Sequence, residues 1–122
     1  FQPGEHGSTF GGNPITTAAA LAAIKTIESE KILKKVQKQG RFLIQELAMI
    51  EGVQQVRGAG LLIGIELGSA TAQEITQKLL DRGVLVNAAN TTTIRIAPAL
   101  IVSDAQIKKF ITIFREVLSH GN

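Results

Sequence analysis

The sequence predicts an α+β fold, a short and mainly antiparallel sheet covered by helices and preceded by helical sequence of a different character. Three observations carry this. Leu61, Ile63, Ile65 and Leu67 alternate with Gly64 and Glu66, the two-residue period of a half-buried strand. Val84 to Ala97 reads as a tight strand–turn–strand pair. Two segments, from Ile32 and from Ile107, place apolar residues at intervals of three and four, the signature of helices with one buried face. Strands alternating with such helices favour a small sheet with helices on one face. A chain of 122 residues, 44% hydrophobic and 19% charged, is long enough for one ordinary core.

The first predicted helix runs from Pro14 to about Glu28. Asn13 suits the N-cap, and Pro14 fits the first helical position, where its missing N–H costs nothing. Ala18 to Ala23 place small residues on several faces, so this helix is expected to be buried or to lie at a subunit contact. Glu28-Ser29-Glu30 marks a bend or a new helix. The second helix extends to about Met49, with Ile32, Val36, Gly40, Leu43, Leu47 and Ile50 on one face. Gly40 weakens a helix by about 1 kcal/mol relative to alanine, so a close backbone contact is expected there.

Beyond Gly52, Arg57, Gly58 and Gly60 read as a turn leading into the Leu61–Leu67 strand. Thr71-Ala72-Gln73-Glu74 has the form of a capping box and starts a helix that turns Ile75 and Leu79 inward, stopped by Arg82-Gly83. Val84 to Val86 are expected as a strand, Asn87 to Thr91 as a polar turn, and Thr92 to Ala97 as a second strand. Pro98 prevents its normal continuation. Ser103 and Gln106 cap the last helix, whose stripe is Ile107, Phe110, Ile111, Phe114, Val117 and Leu118.

Composition excludes several functions. No apolar run reaches the roughly 18 residues of a membrane span, and nothing at the N-terminus reads as a signal peptide. The absence of cysteine removes disulfides and thiolate metal sites, and is compatible with the cytosol. His6 and His120 lie far apart without clustered carboxylates, so no metal site and no nucleophilic triad is expected. The net charge of +3 does not indicate nucleic-acid binding. Six of the thirteen basic residues lie between Lys25 and Arg41 at helical spacing, a solvated face, with no tyrosine or tryptophan to stack on bases.

The feature richest in chemistry is His6-Gly7-Ser8-Thr9-Phe10-Gly11-Gly12-Asn13-Pro14. Its glycines permit tight turns, Ser8 and Thr9 add hydroxyl donors, and the loop runs straight into a helix N-terminus, a combination that suits an anion. The plain alternative is a Ser/Thr turn that satisfies its own backbone. This wording resembles the phosphate-contacting loop of the class III pyridoxal-phosphate aminotransferases, especially the acetylornithine branch. Val56 to Leu67 is similar to that family's Arg-Gly-x-Gly-Leu-x-x-Gly-x-Glu segment, and Val84-Leu85-Val86-Asn87 and Ile94-Arg95-Ile96-Ala97-Pro98-Ala99-Leu100 resemble its last strands. The segments occur in family order and cover essentially the whole chain. Ala99 departs from the family's usual second proline, a difference in turn stiffness more than in chemistry.

The resemblance implies the small C-terminal domain of a fold-type I transferase at residues 29–122, with residues 1–28 closing the large cofactor domain. It implies pyridoxal 5'-phosphate as cofactor, contacted by Thr9 and Ser8 across a homodimer interface, with substrate contacts from Ser8 and Arg95. A guanidinium on a strand, flanked by Ile94 and Ile96, can grip a carboxylate in bidentate fashion; an ordinary salt bridge is the alternative. No lysine sits in the family's Lys-x-x-Gly-Gly context, so the Schiff-base lysine is expected upstream and no catalytic residue in this chain. The expected role is therefore the C-terminal part of a cytoplasmic enzyme of arginine biosynthesis, inactive alone. That enzyme would move the terminal amino group of N-acetylornithine to 2-oxoglutarate. Ornithine, succinylornithine and 4-aminobutyrate are alternative donors, and a stand-alone α+β binding module is the alternative of another class.

Overall fold

The structure is a computed structural model, and it describes residues 1–119. His120 lies outside the described residues. The chain forms two compact units, residues 1–33 and the remainder from Lys34.

The first unit is a loop followed by helix α1 (Pro14–Ser29). The Asn13 side-chain oxygen accepts hydrogen bonds from the Ile15 and Thr16 N–H groups, both at 3.0 Å, so the first turn is capped as its sequence requires. Lys31 takes a left-handed φ of 53°, separating α1 from helix α2 (Ile32–Ala48). Within this single chain none of the α1 residues is buried, and Ile15, Leu21 and Ile24 are exposed, which leaves the subunit contact as the form of the expectation that still applies. Its apolar residues are spread around the axis rather than gathered into one stripe, so a single neighbour cannot cover them.

The second unit holds the sheet. Strands β1 (Val53–Ala59), β2 (Leu62–Leu67), β3 (Asn87–Ala88) and β4 (Thr93–Ile96) lie in the order β1-β2-β4-β3, every pair antiparallel. Helix α3 (Ala72–Asp81) connects β2 to β3, and α4 (Asp104–Ser119) follows β4. Ile63, Ile65, Leu67, Ile94 and Ile96 point to one face and are buried with Ile75, Leu79, Ile107, Ile111 and Phe114. The whole predicted stripe of α2 is buried as well. Ile113 joins the core of α4 although the expected stripe omitted it, whereas Phe110 and Leu118 are half-buried.

The close contact expected at Gly40 is present. A Cβ built there would stand 2.0 Å from the Gly60 carbonyl oxygen, in the β1–β2 turn. Gly60 itself has a φ of +57°, so the turn and the helix are fitted to each other through two missing side chains.

Two strand expectations are corrected. Arg57 and Gly58 belong to β1, paired with Gly64 and Ile63, and only Gly60 lies in the turn. Val84 to Val86 form no strand; the pairing starts at Asn87. In both places the hydrophobic pattern misled. β1 is an edge strand with mostly exposed side chains, so alternation is absent, and Val84–Val86 run apolar without a ladder partner.

Candidate functional site

Two groups of residues present chemistry, one in each unit, and each is described separately. In the first unit, Ser8 and Thr9 are exposed in the loop ahead of α1. The Ser8 hydroxyl oxygen accepts a hydrogen bond from the Gly11 N–H at 2.9 Å, so it partly serves the turn itself, while its own hydrogen stays available. The Thr9 hydroxyl has no partner among the described residues. Asn13, read from the sequence only as a cap, has a second function here. Its side-chain N–H donates to the Phe10 carbonyl oxygen at 2.6 Å and ties the loop back to the helix start. The first-turn N–H groups of α1 are taken by Asn13, so what the segment offers is the Thr9 hydroxyl and exposed loop N–H groups, a donor set that suits a phosphate group. Phe1 and His6 stack loosely at 5.5 Å between ring centroids, which leaves His6 a local contact.

In the second unit the strand register assembles the open face of the sheet. Asn87, Arg95, Gly64 and Arg57 form one row across β3, β4, β2 and β1, and Thr93, Glu66 and Gln55 form the next row across β4, β2 and β1. Cross-strand partners share a face, so Arg95 points away from the buried Ile94 and Ile96, as its sequence neighbours require. Arg95 is exposed and has no hydrogen-bonding or charged partner among the described residues. The expected salt-bridge alternative for Arg95 is therefore not made within the described residues.

Arg57 behaves differently. Its guanidinium Nη1 donates to Glu66 Oε2 at 3.2 Å. Thr93 Oγ1 donates to the same oxygen at 2.6 Å, and Thr92 Oγ1 donates to Oε1. These hydroxyls, Thr92 first and then Thr93, hold the Glu66 carboxyl below its usual range; desolvation opposes them, and Arg57 adds a lesser lowering. Asn90 accepts from the Thr92 and Thr93 N–H groups at 2.9 and 2.7 Å and fixes the turn that delivers both hydroxyls. Glu66 thus neutralises Arg57 and leaves Arg95 as the uncompensated charge of the row. None of Glu66, Thr92 or Thr93 stood out in the sequence as a functional residue. Only the ladder register brings them together, and a capping-type Asn90-x-Thr92 pattern was the one local signal.

A concavity of about 340 Å³ lies elsewhere in the second unit. It is lined mainly by apolar residues, among them Leu43, Val84, Ile96, Pro98 and Phe110, and holds none of the candidate residues. No group of His, Cys, Asp and Glu among the described residues could hold a metal ion, and no helix among them is long and apolar enough to cross a membrane.

The family model for "Aminotransferase class-III" matches residues 1–118. The chain belongs to the class III aminotransferase family. The family works with pyridoxal phosphate. Among curated relatives, the chain is 45% identical to the acetylornithine aminotransferase of Mycolicibacterium smegmatis over 95% of its length, and 39% identical to the ornithine aminotransferase of Oceanobacillus iheyensis over 98%. It spans 30% of the length of each of these relatives. Among solved structures, the acetylornithine aminotransferase of Elizabethkingia anophelis superposes with a TM-score of 0.84 at 31% identity, covering 98% of this chain and 33% of that one. The α+β fold with its small antiparallel sheet is thus that of part of a class III aminotransferase.

Proposed function

We propose that this chain is the C-terminal part of a pyridoxal-phosphate aminotransferase that acts on the terminal amino group of N-acetylornithine, with 2-oxoglutarate as acceptor. The observation that carries the reading is that one chain holds a phosphate-type loop at Ser8–Thr9 in its first unit and, in its second, an uncompensated arginine, Arg95, on an open sheet face. In this reading residues 1–28 end the large cofactor domain and residues 29–122 form the small domain. Thr9 and Ser8 hold the cofactor phosphate of the partner subunit in a homodimer, and Arg95 grips a carboxylate of substrate or protein. Pyridoxal phosphate, when bound, supplies the electron sink for the carbanion chemistry. What this chain adds is binding and orientation: hydroxyl and N–H donors for the phosphate, and a planar cation for the carboxylate. The lysine that holds the cofactor lies outside this chain, so the chain alone does not transaminate. A cytoplasmic place in arginine biosynthesis follows from the same donor.

Ornithine is the second reading of the donor, favoured by the relatives named ornithine aminotransferase at 39% identity. The matches favour both over a stand-alone binding module. The test is an absorbance spectrum of the full-length, cofactor-loaded protein after addition of one amino donor without any oxo acid. N-acetylornithine should convert the bound cofactor to its amine form. Conversion by ornithine alone keeps the family and moves the substrate; conversion by neither, nor by succinylornithine or 4-aminobutyrate, rejects the reading.

A further inference from the structure

β3 covers only Asn87 and Ala88, paired with Arg95 and Ile94 of β4. Continued further, the same register would bring Val86 opposite Ile96, Leu85 opposite Ala97 and Val84 opposite Pro98. None of these pairs forms, and Pro98 has no N–H to give a ladder. Val84–Val86 nevertheless alternate as a strand does, half-buried, exposed, half-buried, with Leu85 89% exposed. The Leu85 and Val86 N–H groups make no hydrogen bond among the described residues. The two segments border the concavity of about 340 Å³ instead, which runs in to Leu43 of α2 and to Ile107 and Phe110 of α4. Protein interiors pack like organic crystals and leave few voids larger than a water molecule, so an apolar slot of this size beside the core is a place for protein atoms. An uncharged Val-Leu-Val edge is likewise one that natural proteins pair or cover. An unpaired edge and an apolar slot side by side fit an extended chain, whose backbone meets the edge while alternate side chains enter the slot. A helix or a small apolar molecule would leave the edge unpaired. The rim also carries Lys109, a cation with no partner among the described residues. The curated relatives run to more than three times the length of this chain, which spans 30% of each, so the remainder of the full-length protein is long enough to supply such a segment.

We propose that the slot between Val84–Val86 and Ile96–Pro98 docks an extended segment from the remainder of the full-length protein, outside residues 1–122. Its backbone pairs with the free edge at Leu85 and Val86, its alternate apolar side chains fill the slot, and a carboxylate on it meets Lys109. The inference rests on the family and on the length of its members, and is independent of the amino donor and of the assignment of Arg95.

The experiment uses the full-length, cofactor-loaded protein and has two readouts. The first is hydrogen exchange resolved to single amides. Leu85 and Val86 should both exchange at least about 100-fold more slowly than in an unstructured peptide of the same sequence, and a smaller slowing at both overturns the proposal. The second identifies the occupant. A benzophenone attached to Leu85→Cys, in a protein whose other cysteines are replaced by serine, is photolysed and the cross-linked peptide is mapped by mass spectrometry. Leu85 is exposed, so the substitution leaves the packing of this unit as it is. The cross-link should join Leu85→Cys to an alternately apolar peptide from outside residues 1–122. A cross-link to residues 1–122 of a second copy, a cross-link to a different protein, or none at all overturns the proposal. A protein that converts its cofactor with N-acetylornithine yet leaves both amides open refutes this inference alone.

Discussion

Replacing Gly40 by alanine sets two physical effects against each other. On propensity alone, alanine in a helix interior should stabilise α2 by about 1 kcal/mol. The structure argues the reverse. The new Cβ would lie 2.0 Å from the Gly60 carbonyl oxygen and 2.7 Å from its carbonyl carbon. That is more than roughly 1 Å inside a normal C···O contact. Relief by moving Gly60 is blocked, since that residue holds a φ of +57° in the β1–β2 turn and a Cβ on it would itself meet Val36 at 2.9 Å. Overpacking a close-packed contact costs typically 1–3 kcal/mol, and a clash against backbone belongs at the upper end or beyond it. The net loss should be about 2 kcal/mol, or about 10 °C in the thermal midpoint for a unit of this size. Thermal unfolding of the chain followed by far-UV circular dichroism measures it, with Gln37→Ala, exposed on the same helix, as the control that should change little. A Gly40→Ala chain that melts at the same temperature or higher would refute the close-contact reasoning.

Other consequences are equally direct. The Glu66 carboxyl is held below its unfolded value, so the stability it contributes is complete above the ordinary glutamate range and is lost as pH falls through the lower folded value. Glu66→Gln should therefore flatten the acid side of the stability–pH curve, and an unchanged slope would count against the Thr92–Thr93–Arg57 cluster. Ser103 accepts from the Gln106 N–H at 3.2 Å while its own N–H donates to Gln106 Oε1 at 2.9 Å, a complete capping box. Ser103→Ala should cost about 1 kcal/mol in denaturant unfolding. Phe114 is fully buried, so Phe114→Ala should cost about 3–5 kcal/mol and leave little folded second unit.

The helices were legible from a stripe, a cap or both: α1 from its Asn13 cap, α2 from its stripe, and α3 and α4 from the two together. The α2 stripe from Ile32 to Ile50, the Thr71 cap and the Ser103–Gln106 box all stand where the sequence places them. Gly40 was legible for the same reason, as a residue that only a close approach explains inside a good helix. β1 was not, since Gln54, Gln55, Arg57 and Gly58 give an edge strand no alternation to read. The start of β3 was misread because apolar character in Val84–Val86 says that a segment meets apolar surroundings, not that it pairs. Of the candidate site, the loop at Ser8–Thr9 and the outward direction of Arg95 follow from local pattern. The neutralisation of Arg57 by Glu66, and with it the isolation of Arg95, depends on a register that brings together residues 9 and 27 positions apart along the chain. Local sequence carries no trace of that.

The most direct test of the phosphate-loop reading is the affinity of the full-length enzyme, with and without Thr9→Ala, for pyridoxal phosphate and for pyridoxal, which lacks the phosphate. Loss of a charge-assisted hydrogen bond should weaken pyridoxal phosphate binding roughly 10- to 100-fold and leave pyridoxal binding unchanged. Equal losses for both compounds, or no loss for either, would contradict the assignment of this loop to the cofactor phosphate.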